Sequence, residues 1–217
     1  MRPLVAILGA SAAVAVLYPL LWSPGPASAL EIAVKGTPVG LLALAAALRA
    51  RSVDGWLLAA VMALGATGDV LLEVAFTAGA AAFALGHVVA IWLYLRNRRE
   101  FSLIAVAILL FAVVTPSLLL PPGADRIGFT IYASLLGAMA AAAWLSRFPR
   151  ARIGALLFLA SDMLIAWRMG WAERPLWLGL AIWWLYYAGQ LLIWLGVTGG
   201  GRSSASLTRS GGEGDHP

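Results

Sequence analysis

Five polar side chains interrupt otherwise apolar stretches of the chain: Lys35, Asp69, His87, Asp162 and Gln190. Two carboxyls, a cation, an imidazole and an amide are the parts of general acid–base chemistry. One carboxyl gives a proton while the other takes one or balances a developing positive charge. Such a division needs different surroundings for the two, for example desolvation around one and a cation such as Lys35 beside the other. An ionised side chain at the centre of a bilayer costs roughly 2.5–3.5 kcal/mol, and three unpaired ones on the order of 5–10 kcal/mol. Lys35, Asp69 and Asp162 must therefore pair, face a wet cavity or lie near the interface. Intramembrane carboxylates default to function. The structural alternatives are a buried ion pair with Lys35, a Lys35 that snorkels to the interface, a hydrogen-bonded His87, and interhelical bonds from Gln190, Tyr186 and Tyr187.

The elements that must position these residues follow from composition. Of 217 residues, 62% are hydrophobic and 12% charged, against roughly 25% charged in a soluble domain. The apolar runs approach the ~20 residues of a membrane-spanning helix and lack the alternation of barrel strands. The expected fold is all-α, a polytopic bundle of eight transmembrane helices near 3–22, 30–48, 55–73, 75–95, 101–120, 127–146, 152–169 and 176–197. Residues 1–198 form that domain and 199–217, rich in Gly and Ser, read as a disordered cytoplasmic tail that contains His216. Pro24-Gly25-Pro26 and Pro121-Pro122-Gly123 punctuate the chain after the first and fifth spans, and Glu73 marks a tight turn after the third.

There is no cysteine, which excludes disulfides and thiol chemistry, and two histidines cannot build a multi-histidine metal site. The net charge of +5 is no nucleic-acid signal, because the arginines sit in short loops where they set topology. Eleven basic residues lie on one side and three, Arg126, Arg168 and Arg174, on the other. Both termini are expected to be cytoplasmic. Arg2, the first apolar run and Ala27-Ser28-Ala29 resemble a secretory signal with its cleavage site, but a run of about 19 residues exceeds the usual 7–15, so a retained helix is expected. The ten tryptophans read mostly as an interfacial belt. Arginine-rich, lysine-poor usage is compatible with a GC-rich bacterial genome, hence a bacterial cell membrane. The sequence carries no signal for oligomeric state.

Depth follows from a rise of 1.5 Å per residue. Asp69 lies about 6 Å, Lys35 about 7 Å and Asp162 roughly 9 Å from the non-cytoplasmic ends of their helices, with His87 about 18 Å in. Gly68-Asp69-Val70-Leu71-Leu72 matches Ser161-Asp162-Met163-Leu164-Ile165 at an offset of 93 residues and four spans. A parallel repeat of four plus four helices would set the aspartates across a pseudo-twofold axis along the membrane normal.

Four motifs resemble those of the YhhN family of membrane proteins, which includes the lysoplasmalogenases. They are Lys35-Gly36-Thr37-Pro38, Gly68-Asp69-Val70-Leu71-Leu72, the spaced Phe76, Gly79, Phe83 and His87, and Ser161-Asp162 followed by Tyr187 and Gln190. The resemblance covers roughly Lys35 to Gln190. Two departures stand out. Gly36-Thr37 separates a Lys and Pro that are usually adjacent, and Ala90 replaces the aromatic residue often found three after the histidine. The resemblance implies hydrolysis of the vinyl ether bond of a lysoplasmalogen, with membrane lipid as surroundings, a lysophospholipid as substrate and neither metal nor cofactor. Asp69 and Asp162 would then be the catalytic pair. Lys35 and His87 would tune them or contact the phosphate, and Tyr187 and Gln190 would orient water or head group. Two other functions use the same residues: a small secondary transporter with intramembrane carboxylates, or an accessory subunit whose polar groups glue helices.

Overall fold

The computed structural model describes residues 2–22, 26–99, 101–170, 173 and 175–199. Among them are eight α-helices and no strand: α1 Arg2–Leu17, which runs into a 3-10 turn at Tyr18–Leu21, α2 Ala29–Arg49, α3 Val53–Val74, α4 Phe76–Leu95, α5 Leu103–Leu119, α6 Arg126–Leu145, α7 Pro149–Arg168 and α8 Leu176–Gly199. These are the eight spans expected from the apolar runs. The tail from residue 200 on, with His216, lies outside the described residues, as do Pro24 and Gly25 of the first break.

Local chemistry sets the helix starts. Ser28 caps α2 in a capping box, its Oγ accepting from Glu31 N while the Glu31 carboxylate accepts from Ser28 N. The Ala27-Ser28-Ala29 stretch thus works as a helix cap. Ser52, Ser102 and Asp125 cap α3, α5 and α6 in the simpler way, and Pro149 opens α7. Helices α3 and α4 share one capping residue, Ala75, which is the tight turn expected beside Glu73.

Six helices are long and apolar enough to cross a bilayer: α1 with its 3-10 extension, α2, α3, α4, α6 and α8. Helix α5 has 17 residues, and α7 carries Arg150, Arg152, Asp162 and Arg168. Helix α7 is instead held by protein. Gly154 and Gly189 let the α7 and α8 backbones touch, since a Cβ on Gly154 would lie 2.5 Å from the Gly189 carbonyl oxygen and one on Gly189 2.7 Å from that of Gly154. Helix α5 faces outward, with Leu103, Leu110, Phe111 and Leu118 all exposed. An apolar exterior of this kind belongs in hydrocarbon. The chain is an integral membrane helical bundle.

Sequential helices pack as neighbours except α4 and α5; α4 packs instead on α6, and α8 on α2. Advancing each helix number by four converts α1–α2 into α5–α6, α3–α4 into α7–α8 and α4–α6 into α8–α2, all packed pairs. The packed pair α5–α7 has no such counterpart in α1–α3. The symmetry is partial, because α3 packs on α8 without a comparable α4–α7 face. Helix α1 is bonded into the bundle through Ser11 Oγ to the Pro38 carbonyl at 2.8 Å and through Trp183 Nε1 to the Ala15 carbonyl at 2.9 Å.

Candidate active site

Asp69 is 2% exposed on the inner face of α3. Beside it, Gly68 leaves room for a ring of α4, since a Cβ there would lie 2.6 Å from Phe83. Tyr186 of α8 donates its hydroxyl to Asp69 Oδ2 at 2.7 Å. Gln190 follows Tyr186 by four residues, on the same face of α8. Gln190 is 1% exposed, and its Oε1 has no partner among the described residues. A buried acceptor of that kind needs a donor that is not protein.

Asp162 repeats the arrangement on α7. Tyr132 of α6 donates its hydroxyl to Asp162 Oδ2 at 2.7 Å. His87 Nε2, from α4, lies 3.4 Å from the Tyr132 oxygen. Because Tyr132 gives its proton to Asp162, a bond here requires the proton on Nε2 of the 3% exposed imidazole. Unlike Asp69, Asp162 is only half-buried.

One aromatic cluster lies between the two arms. Phe158 is 5.3 Å from Tyr186 and 5.3 Å from His87, ring centre to ring centre, and Phe83 is 5.8 Å from Phe158. Phe158 thus joins the two arms, Asp69–Tyr186 on one side and Asp162–Tyr132–His87 on the other, which α3, α4, α6, α7 and α8 contribute.

The remaining expected residues fall less uniformly. Lys35 does not pair with an aspartate. Its Nζ donates to Glu73 Oε1 at 2.5 Å, one turn beyond Asp69 on α3, although its charge also reaches Asp69. Glu73 is the nearer and more accessible acid, with a side chain 31% exposed. Tyr187 is not on the carboxylates either. Its hydroxyl meets Ser11 Oγ at 3.0 Å on α1, and its neighbour Tyr186 takes the place beside Asp69. Tyr132 has no counterpart among the residues expected from the sequence, where a tyrosine within an apolar run draws no attention. Among the described residues no cluster of three or more His, Cys, Asp or Glu could hold a metal ion.

The family model described as the YhhN family matches residues 30–197, which span every residue of this region. The chain belongs to the YhhN family. This YhhN chain is 33% identical over 185 residues to a lysoplasmalogenase of Mycobacterium bovis (strain ATCC BAA-935 / AF2122/97), an alignment covering 77% of the chain and 70% of the relative. The lysoplasmalogenase of Mycobacterium tuberculosis (strain CDC 1551 / Oshkosh) aligns with the same identity and coverage. No solved structure matches this YhhN protein.

Proposed function

We propose that this protein is a membrane-embedded hydrolase that cleaves the vinyl ether bond of lysoplasmalogen-type lysophospholipids, releasing a fatty aldehyde and a glycerophospho-alcohol. The observation that carries the reading is the pair of intramembrane carboxyls, Asp69 and Asp162, each bonded by a tyrosine hydroxyl, on arms that Phe158 joins. Membership of the YhhN family and likeness to two lysoplasmalogenases support it.

The chemistry asks for what the region holds. A vinyl ether is hydrolysed by protonation of its β-carbon, which moves the π electrons and leaves an oxocarbenium ion. Water adds to the α-carbon and loses a proton. The resulting hemiacetal then breaks its bond to the glycerol oxygen, which takes up a proton, and the carbonyl of the aldehyde forms. The net reaction consumes one water and no oxidant. One aspartic acid supplies the first proton, and the other carboxylate balances the cation and receives the proton from water. Tyr132 and Tyr186 hold the two carboxyls in orientation, with His87 beside the first. The free Gln190 Oε1 is suited to accept from the attacking water. Lys35, at the outer edge, is placed to meet the phosphate. With both termini on the cytoplasmic side of a bacterial cell membrane, as the arginine distribution favours, the site lies in the outer half of the bilayer.

The deciding experiment supplies the purified chain with 1-alkenyl, 1-acyl and 1-alkyl lysophospholipids and measures aldehyde and fatty acid. Aldehyde from the alkenyl lipid alone is expected. Fatty acid from the acyl lipid would make the protein an esterase instead. Vesicle uptake of a substrate with no hydrolysis of any of the three would return the reading to a transporter.

A further inference from the structure

Glu73 has no part in the acid–base scheme, yet it is the direct partner of the one lysine in the chain. The pair is neither surface nor core, with side chains 17% exposed for Lys35 and 31% for Glu73. An ion pair in such a place resists losing one member, because the other is left half-buried and unpaired. If Lys35 turns to a ligand phosphate, as the hydrolase reading requires, Glu73 loses its cation. A ligand with only negative charge leaves it so. A ligand with an ammonium group next to its phosphate replaces both halves of the pair at once.

We propose that Glu73 is a specificity-determining residue, selecting lysophospholipids whose head group carries a cation beside the phosphate. The spacing agrees. Glu73 lies four residues after Asp69 on α3, a rise of about 6 Å. Five bonds separate the ether oxygen at sn-1 of the glycerol from phosphorus, roughly 6 Å when extended, given single bonds of ~1.5 Å. A vinyl ether held at the aspartates therefore brings its phosphate to the level of the Lys35–Glu73 pair. The surroundings also suit a cation. The 3-10 turn that carries Tyr18 packs on α2, the helix of Lys35, and Tyr18 lies edge-on to Trp22 at 5.8 Å. Glu31 is engaged in the capping box with Ser28, which leaves Glu73 as the acid that can change partners. Aromatic faces close to acids are favourable ground for an ammonium group.

Selection of this kind rests on the hydrolase reading for the identity of the ligand, so the test separates the two. The probes are 1-acyl lysophosphatidylethanolamine and 1-acyl lysophosphatidylglycerol, which lack the vinyl ether and differ in the cation. Their dissociation constants are measured on the full-length protein. The wild type is expected to bind the ethanolamine lipid about two- to five-fold more tightly, in line with a partly screened ion pair. Glu73→Gln should abolish the preference, and Glu73→Asp, which keeps the charge, should retain it. Equal binding of the two lipids by the wild type overturns the proposal, as does a preference that survives Glu73→Gln or vanishes in Glu73→Asp. Aldehyde release without head-group preference sinks this inference alone. Head-group preference without aldehyde release sinks the hydrolase alone.

Discussion

The same residue type is used in opposite ways at the two ends of the bundle. At the arginine-rich end, Asp54 at the start of α3 forms an ion pair with Arg96, Nε to Oδ1 at 2.9 Å, and its Oδ2 accepts from Arg147 Nη2 at 3.4 Å and Asn97 Nδ2 at 3.0 Å. The loops that carry these donors are zipped together by backbone bonds from Arg99 to Leu145 at 2.9 Å and from Arg147 to Asn97 at 3.0 Å. Asp54 and Arg147 are 93 residues apart, so this clamp joins the start of α3 to the turn between α6 and α7. In the other half of the membrane, Asp69 and Asp162 each receive a neutral tyrosine hydroxyl on one oxygen. Full cations spend Asp54 on holding loops in place. A single neutral donor orients a carboxyl but leaves its proton chemistry open.

The largest test of that contrast replaces each acid by its amide. Asp69→Asn and Asp162→Asn should each lower aldehyde release by about 10²–10⁴-fold, the usual weight of general acid–base groups, with the folded bundle retained in circular dichroism. Asp54→Asn should do the reverse. Release stays near wild type, and thermal unfolding shifts by a loss of about 1–2 kcal/mol, discounted because the Asp54 side chain is 19% exposed. If Asp54→Asn were as inactive as the other two, the division between the ends would collapse.

A finer test removes one oxygen atom. Tyr132→Phe and Tyr186→Phe keep the rings that pack on Phe158 and His87 but leave the carboxyls without their donors. Turnover should fall about ten- to hundredfold with little change in KM, since an orienting hydrogen bond acts on the chemical step more than on lipid binding. An unchanged turnover number would reduce both tyrosines to packing residues.

The fold was legible because a bilayer fixes the length of its spans, so apolar runs bounded by Arg49 to Asp54, Arg96 to Glu100 and Arg147 to Arg152 could hardly be anything else. Even α7, the least apolar of the eight, was recovered from its charged borders, although Gly154 and Gly189, which hold it to α8, gave no signal without the structure. Within the site, the carboxylates were legible because a charge in hydrocarbon is costly. Their partners were not. A tyrosine costs little in a membrane helix and is abundant at the interface, so Tyr132 left no mark on hydropathy. Glu73 read as the turn that follows α3, because its bond to Lys35 spans 38 residues. The choice between Tyr186 and Tyr187 turns on ~100° of helix rotation, and α8 is buried on several faces, so no period in its sequence separates the one beside Asp69 from the one beside Ser11.

Those two neighbouring tyrosines supply the smallest and sharpest prediction. Tyr187 is buried, stacks on Trp183 at 6.5 Å and shares its hydroxyl with Ser11, whose own Oγ already donates to the Pro38 carbonyl. Pro38 stands inside α2 and cannot donate an amide of its own, so the Ser11 bond secures a weak place in that helix. The proton of the Ser11 hydroxyl is spent on Pro38, so Tyr187 donates and Ser11 accepts. Losing this donor leaves Ser11 with its essential bond intact. Tyr187→Phe should therefore cost no more than about 1 kcal/mol of stability and leave turnover unchanged. The identical substitution one residue earlier, at Tyr186, strips Asp69 of its donor and slows the reaction. The pair of variants separates chemistry from packing at equal change in composition, volume and depth. If Tyr187→Phe proved the more damaging to turnover, the carboxylate facing α8 would have a different partner in the working enzyme, and the assignment of Tyr186 to Asp69 would fall with it.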